Sequence, residues 1–175
     1  MSIHIVIDGY NLIRQSPTLS VIEHRSLEEG REALLKCLAS YKRVKHHPVT
    51  VVFDGANADT HMERRTRCKG IDVVFSRPGQ LADSVIKRLA ARDQERAVVV
   101  TSDREIAGFA AKHGAATIDS IEFENKMKMV THPDIDLMDF SEEEEEGWAP
   151  TTKKKGPSRR LSKRQRKRRV KTKKL

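Results

Sequence analysis

Short runs of Val and Ile alternate along this chain with longer stretches in which apolar residues recur every three or four positions. That alternation marks a parallel sheet, buried on both faces and wrapped by crossover helices. Five runs read as strands: Ile3–Ile7, Val49–Phe53, Ile71–Phe75, Ala97–Thr101 and Ala115–Ile118. Ser26 and Glu29 form a capping box that opens a helix, with Leu27, Leu34, Leu38 and Tyr41 along one face. A second helix, Gly79–Gln94, buries Ala82, Val85, Ile86 and Leu89. A third, Arg104–His113, is headed by a second box, Ser102 to Glu105, and closed by Gly114. Ile121–Val130 is the last. The polar, basic stretch Ala56–Gly70 reads as a loop or a short exposed helix.

Charge divides the chain. The overall net charge is +9, but residues 151–175 hold fourteen Lys/Arg and no acid, leaving 20 basic against 25 acidic groups in residues 1–150. The expected organisation is a folded domain over residues 1–130, an acidic linker at 131–150 carrying Glu142–Glu146, and a basic tail at 151–175 that is disordered or helical. The tail attracts polyanions by itself, whereas the acidic body needs local basic patches or metal ions. Cys37 and Cys68 fit no zinc or redox spacing; Cys37 reads as a small core residue of the first helix. Sparse cysteine, no signal segment and no long apolar run point to a soluble, cytoplasmic protein.

Four aspartates stand where these elements leave the core: Asp8, Asp54, Asp83 and Asp103. Ligands of open parallel α/β sheets bind at the carboxyl ends of the strands, so carboxylates delivered there make a candidate hard-metal site. Each acid also has a plainer reading. Asp-Gly at 8–9 and 54–55 is a strong turn dipeptide, Asp103 is placed to cap the next helix, and Asp83 complements a helix dipole. The case for a site rests on all four falling at one edge.

The words carrying these acids, VIDGYNLI, VVFDG, ADSVI and VVVTSDREI, occur in an order that resembles the NYN domains of the PIN-like nuclease superfamily, and among them the bacterial YacP-like branch. DGYN at 8–11 and TSDREI at 101–106 are the most specific pieces, and the resemblance covers residues 3–125. It implies a three-layer α/β/α fold around a parallel sheet of about five strands, ordered 3-2-1-4-5. It also implies a metal-dependent ribonuclease associated with RNA turnover and ribosomes. Carried over by motif, Asp8, Asp83 and Asp103 form the inner metal-binding set, Asp54 completes the catalytic rim, and Asn11 orients a ligand or phosphate.

The chemistry agrees. Cleaving a phosphodiester requires negative charge to be stabilised on the attacked phosphate and the leaving oxygen, which carboxylate-held Mg²⁺ or Mn²⁺ provides. Asp8 and Asp103, at the ends of central strands, are the leading ligands; one carboxylate can instead serve as general base. Arg14, Arg104 and the group Arg64, Arg65, Arg67 and Lys69 are the candidate RNA-binding cations near this edge. Tyr10 reads either as a base-stacking platform or as a core aromatic, and His61 and His113 as surface residues. The tail adds Lys153, Lys154, Lys155, Arg159, Arg160, Lys163, Arg164, Arg166, Lys167, Arg168 and Arg169, a set that grips phosphates with little sequence preference. No dinucleotide fingerprint, P-loop, second aspartate two residues after Asp8, or G-x-S-x-G elbow is present. The competing reading is a non-catalytic RNA- or ribosome-binding module.

Overall fold

The computed structural model describes residues 3–55, 63–131 and 163–175. Six strands form one sheet: β1 (His4–Asp8), β2 (Val49–Phe53), β3 (Arg64–Cys68), β4 (Ile71–Phe75), β5 (Ala97–Val100) and β6 (Ala116–Ile118), in the order β3-β4-β2-β1-β5-β6. The five apolar strands run parallel in the expected order; Ile7 lies between Val51 and Val100. Alternation along each strand supplies both faces. Ile5, Ile7, Val51, Phe53, Val73 and Val98 pack with residues of α1 (Gly9–Gln15), α2 (Pro17–Arg25), α3 (Leu27–Lys45) and α6 (Ser120–Thr131). Val6, Val52, Val74 and Val99 pack against α4 (Ala82–Asp93) and α5 (Arg104–Lys112). The result is the three-layer α/β/α architecture.

Several local expectations are corrected. Arg64–Cys68 is not a loop or helix but an edge strand, antiparallel to β4 with Arg64 opposite Phe75. Lys69 and Gly70, with φ of 52° and 81°, make the tight turn of that hairpin, and its charged residues cover an edge that would otherwise invite another strand. Residues 9–25 form α1 and α2; Ser16 caps α2 through its hydroxyl, with Pro17 in the first turn. Cys37 is exposed and Leu27 is 45% exposed, while Leu34, Leu35, Leu38 and Tyr41 carry the buried stripe of α3. Gly114 does end α5's segment with a φ of 99°.

The basic tail, where described, is helical: α7 covers Lys163–Lys173. Its end is anchored by Leu175, which is only 2% exposed and belongs to the core; Tyr41 Oη donates to the Leu175 backbone oxygen at 2.9 Å. Lys45 Nζ donates to the Lys174 carbonyl at 3.3 Å, Arg168 donates to the Ala111 carbonyl, and Lys167 pairs with Glu95 at 3.8 Å. Lys45, Glu95 and Ala111 all precede strands, so α7 sits at the amino-end pole of the sheet. The Glu142–Glu146 run, His61, Lys153, Lys154, Lys155, Arg159 and Arg160 lie outside the described residues.

Candidate active site

The opposite pole carries the acids. Asp8 ends β1, Asp54 follows β2, Asp103 heads α5 beyond β5, and Asp83 stands in the first turn of α4. Three of them act as helix caps. Asp8 Oδ1 accepts from the Asn11 amide at 3.2 Å, and Asp103 Oδ1 accepts from Glu105 and Ile106 at 2.7 and 3.1 Å. Asp103, not Ser102, is therefore the cap of α5. Asp54 Oδ1 accepts from the Ala82 amide at 2.6 Å, tying the end of β2 to the start of α4. The plain reading as caps holds for these three residues and does not exclude the functional one, because a cap occupies one oxygen of a carboxylate.

The glycines after Asp8 and Asp54 are not hairpin turns. A Cβ on Gly9 would lie 2.3 Å from the Phe53 ring, and one on Gly55 would lie 1.9 Å from the Ser76 carbonyl oxygen. Only glycine lets the backbone pass this close to Phe53 and to Ser76 immediately after the two aspartates.

The four charges feel one another. Burial, helped by the charges of Asp83 and Asp54, pushes the Asp8 carboxyl up to about 6, against the Asn11 amide and the Thr101 hydroxyl that hold it down. Asp83 is raised by burial and then by Asp103 and Asp54, with Lys87 opposing. Lys87 in turn pairs with Glu105. Among the described residues, no three acids already close into a metal cage.

Asn11 holds this edge together. Its Oδ1 accepts from the Ser102 amide at 2.9 Å and the Ser120 hydroxyl at 2.7 Å, joining α1 to the β5–α5 loop and to α6. Ser102 Oγ donates to Asp119 at 2.7 Å. Asp119, directly after β6, is a fifth strand-end acid; the pattern that marked the other four, an aspartate closing an apolar run, was available for it as well.

The basic candidates separate. Arg64 lines a groove beside Asp54 together with Arg14, whereas Arg65 and Arg67 line a cavity at the amino-end pole with His4 and Asp93. Arg65 pairs with Glu63 at 2.8 Å, Arg67 with Asp72 at 3.5 Å, and Arg14 with Glu23 at 3.3 Å. Lys69 sits in the hairpin turn, and Arg104 is exposed next to Asp103. Arg166, Lys167, Arg168 and Arg169 lie on α7, away from the acids; Lys163 and Arg164 belong to the same helix. Arg31, not singled out by sequence, also faces the groove beside Asp54.

Known proteins resemble this chain in sequence and fold. The model of the YacP-like NYN domain matches residues 5–173. The uncharacterized protein YacP of Bacillus subtilis (strain 168) is 33% identical over 86 residues, which span 49% of this chain and about half, 50%, of that relative. Two crystal structures of Rae1 (YacP) from Bacillus subtilis, one of them a point mutant, match with TM-scores of 0.60. The mutant is 27% identical over 73% of this chain and 75% of its own, the other 28% over 74% and 75%. The family match takes in α7 as well as the body, and the chain belongs to the YacP-like NYN domain family, which is related to the PIN-like nucleases.

Proposed function

We propose that this chain is a metal-dependent endoribonuclease that hydrolyses RNA phosphodiester bonds, acting in the cytoplasm on mRNA or ribosome-associated RNA. The observation that carries this reading is the convergence of Asp8, Asp54, Asp83 and Asp103, from separate elements, on the carboxyl-end edge of an NYN-family sheet. An all-oxygen donor set suits a hard cation such as Mg²⁺ or Mn²⁺. Asp8, Asp83 and Asp103 would hold the ion, with Asp54 on the rim. When bound, it neutralises phosphate charge and lowers the pKa of a coordinated water. Burial and the neighbouring acids raise the Asp8 carboxyl, and a cation held beside it would offset that cost. Asn11 acts as a positioning residue that fixes the β5–α5 loop carrying Asp103. The basic segment 151–175 anchors RNA or the ribosome, while the body of residues 1–130 does the chemistry.

One observation favours the second reading, a binding module without catalysis. Asp8, Asp54 and Asp103 each have a structural use as caps. The experiment that separates the two incubates wild type and Asp8→Asn with total RNA and ribosomes in Mn²⁺, Mg²⁺ or EDTA and maps new 5′ ends. Discrete cuts requiring both the metal and Asp8 support the nuclease. Identical profiles from two proteins that both sediment with ribosomes leave only the binding module.

A further inference from the structure

Beside the acidic edge, between the start of α3 and the β3–β4 hairpin, lies an open groove of about 600 Å³, a size typical of small-ligand sites. Asp54 forms part of its wall, so whatever fills it lies against one of the four acids. The other walls are aromatic and cationic. Tyr10 meets the buried Phe53 edge-on at 5.1 Å, and Phe75 stacks on the same ring at 5.7 Å, so one immobile core residue fixes both platforms.

Arg31 joins them. Its guanidinium donates to Tyr10 Oη at 3.0 Å and lies over the Phe75 ring, 5.6 Å from the centroid. Both partners are neutral, and among the described residues no carboxylate forms an ion pair with it, although it is partly buried. A half-buried planar cation whose direct partners among the described residues are neutral favours an anionic or π-faced ligand. Arg14 lies over the other aromatic, Tyr10, at 5.3 Å, and Arg64 stands at the mouth on β3. The opposing charges here are Glu28 and Asp54 in the wall and Glu23, which pairs with Arg14 at 3.3 Å.

A free phosphate would need the arginines but not the aromatic walls, and an apolar peptide would need the walls but not three arginines. A nucleotide needs both: stacking surfaces for the base and cations for its phosphate. Tyr10 Oη accepts from Arg31, which leaves its proton to donate to a carbonyl or ring nitrogen of a base.

We propose that this groove seats one unpaired nucleotide flanking the scissile phosphate, with Arg31 and Tyr10 reading its base and Arg14 and Arg64 holding its backbone. The proposal rests on the nuclease reading for its position next to the cut, but the binding itself is testable without cleavage. In the absence of divalent cations, single-stranded RNA carrying 2-aminopurine at successive positions is titrated with wild type, Arg31→Met and Arg31→Lys. One position is expected to be quenched by stacking in wild type and not in either variant, since lysine keeps the charge but loses the planar fork. In Mn²⁺, an abasic nucleotide at that position should lower wild-type kcat/KM about tenfold, and Arg31→Met should cleave intact and abasic RNA at similar rates.

If no position is quenched in wild type, or if Arg31→Met or Arg31→Lys quenches as wild type does, the groove is not a base site. That outcome with cleavage intact leaves the nuclease standing. Quenching lost in both variants, with no cleavage in any metal, keeps the base site and removes the nuclease.

Discussion

A carboxylate at a helix N-terminus can cap, hold a cation, or do both, and Asp8 shows what burying one beside other acids costs. Its carboxyl is raised because the charged form is partly buried among other acids, so at neutral pH the ionised Asp8 destabilises the fold. Asp8→Asn keeps an oxygen for the Asn11 amide and removes the charge. In EDTA at pH 7 the variant should be more stable than wild type by about 1–2 kcal/mol, a shift of several degrees in Tm. Excess Mg²⁺ should narrow that gap by stabilising only wild type, and the gap should shrink as pH falls from about 6 through about 4 and vanish below about pH 3, where Asp8 is protonated in both states. Equal melting temperatures in EDTA would contradict this. The four acids were readable because each sits in a local word, an apolar run or a first turn. Asn11, Arg31 and Asp119 do different work that depends on distant partners: Asn11 reaches Ser102 and Ser120, 91 and 109 positions away. No local pattern encodes such contacts, except for Asp119, whose place after an apolar run matched the others.

At the level of elements, the parallel strands were legible because they are buried on both faces and must be uniformly apolar. β3 was not, because an edge strand paired on one side needs no apolar alternation, and all but its last residue are exposed. The α1–α2 pair was hidden by length and by few buried positions, although Ser16-Pro17 carries a start signal. One element-level tie makes a distinct prediction. At the amino ends of the strands, His4 Nδ1 donates to Asp93 Oδ2 at 2.6 Å and His4 Nε2 bonds Thr50 Oγ1 at 2.8 Å, while Arg92 grips Asp93 with two bonds of 2.8 and 2.9 Å. This joins β1 and β2 to the end of α4. The Arg92 guanidinium, then His4, holds the Asp93 carboxyl down to about 2. A depressed acid contributes stability above its unfolded pKa and loses it as pH falls through the folded value. Wild type should therefore exceed Asp93→Asn by about 2 kcal/mol at pH 6. Chemical denaturation should show that margin shrinking between about pH 4 and pH 2; a margin independent of pH would mean that Asp93 acts through packing alone.

Across the whole molecule, the acidic edge and the basic helix occupy opposite poles, separated by strands spanning about 17 Å. On the proposed nuclease reading, α7 is too far from the acidic edge to grip the few nucleotides being cut and would hold RNA elsewhere. Because Leu175 is part of the core, removing the tail would also cost stability: Leu175→Ala should lose about 2–4 kcal/mol. The clean test neutralises exposed cations and keeps the anchor. Replacing Arg166, Lys167, Arg169 and Lys173 with Gln should lower the salt slope of single-stranded RNA binding by about 3. Turnover of a saturating short oligonucleotide at the acidic edge should stay within twofold, and an unchanged slope would place the grip off α7. The nuclease itself is tested most directly by Asp103→Asn, because asparagine caps a helix about as well as aspartate but brings no charge to a cation. Single-turnover cleavage of a defined RNA in Mn²⁺, with Tm and RNA affinity measured on the same preparation, should show unchanged folding and binding with cleavage reduced at least a hundredfold. Cleavage within a few-fold of wild type would contradict catalysis at this edge.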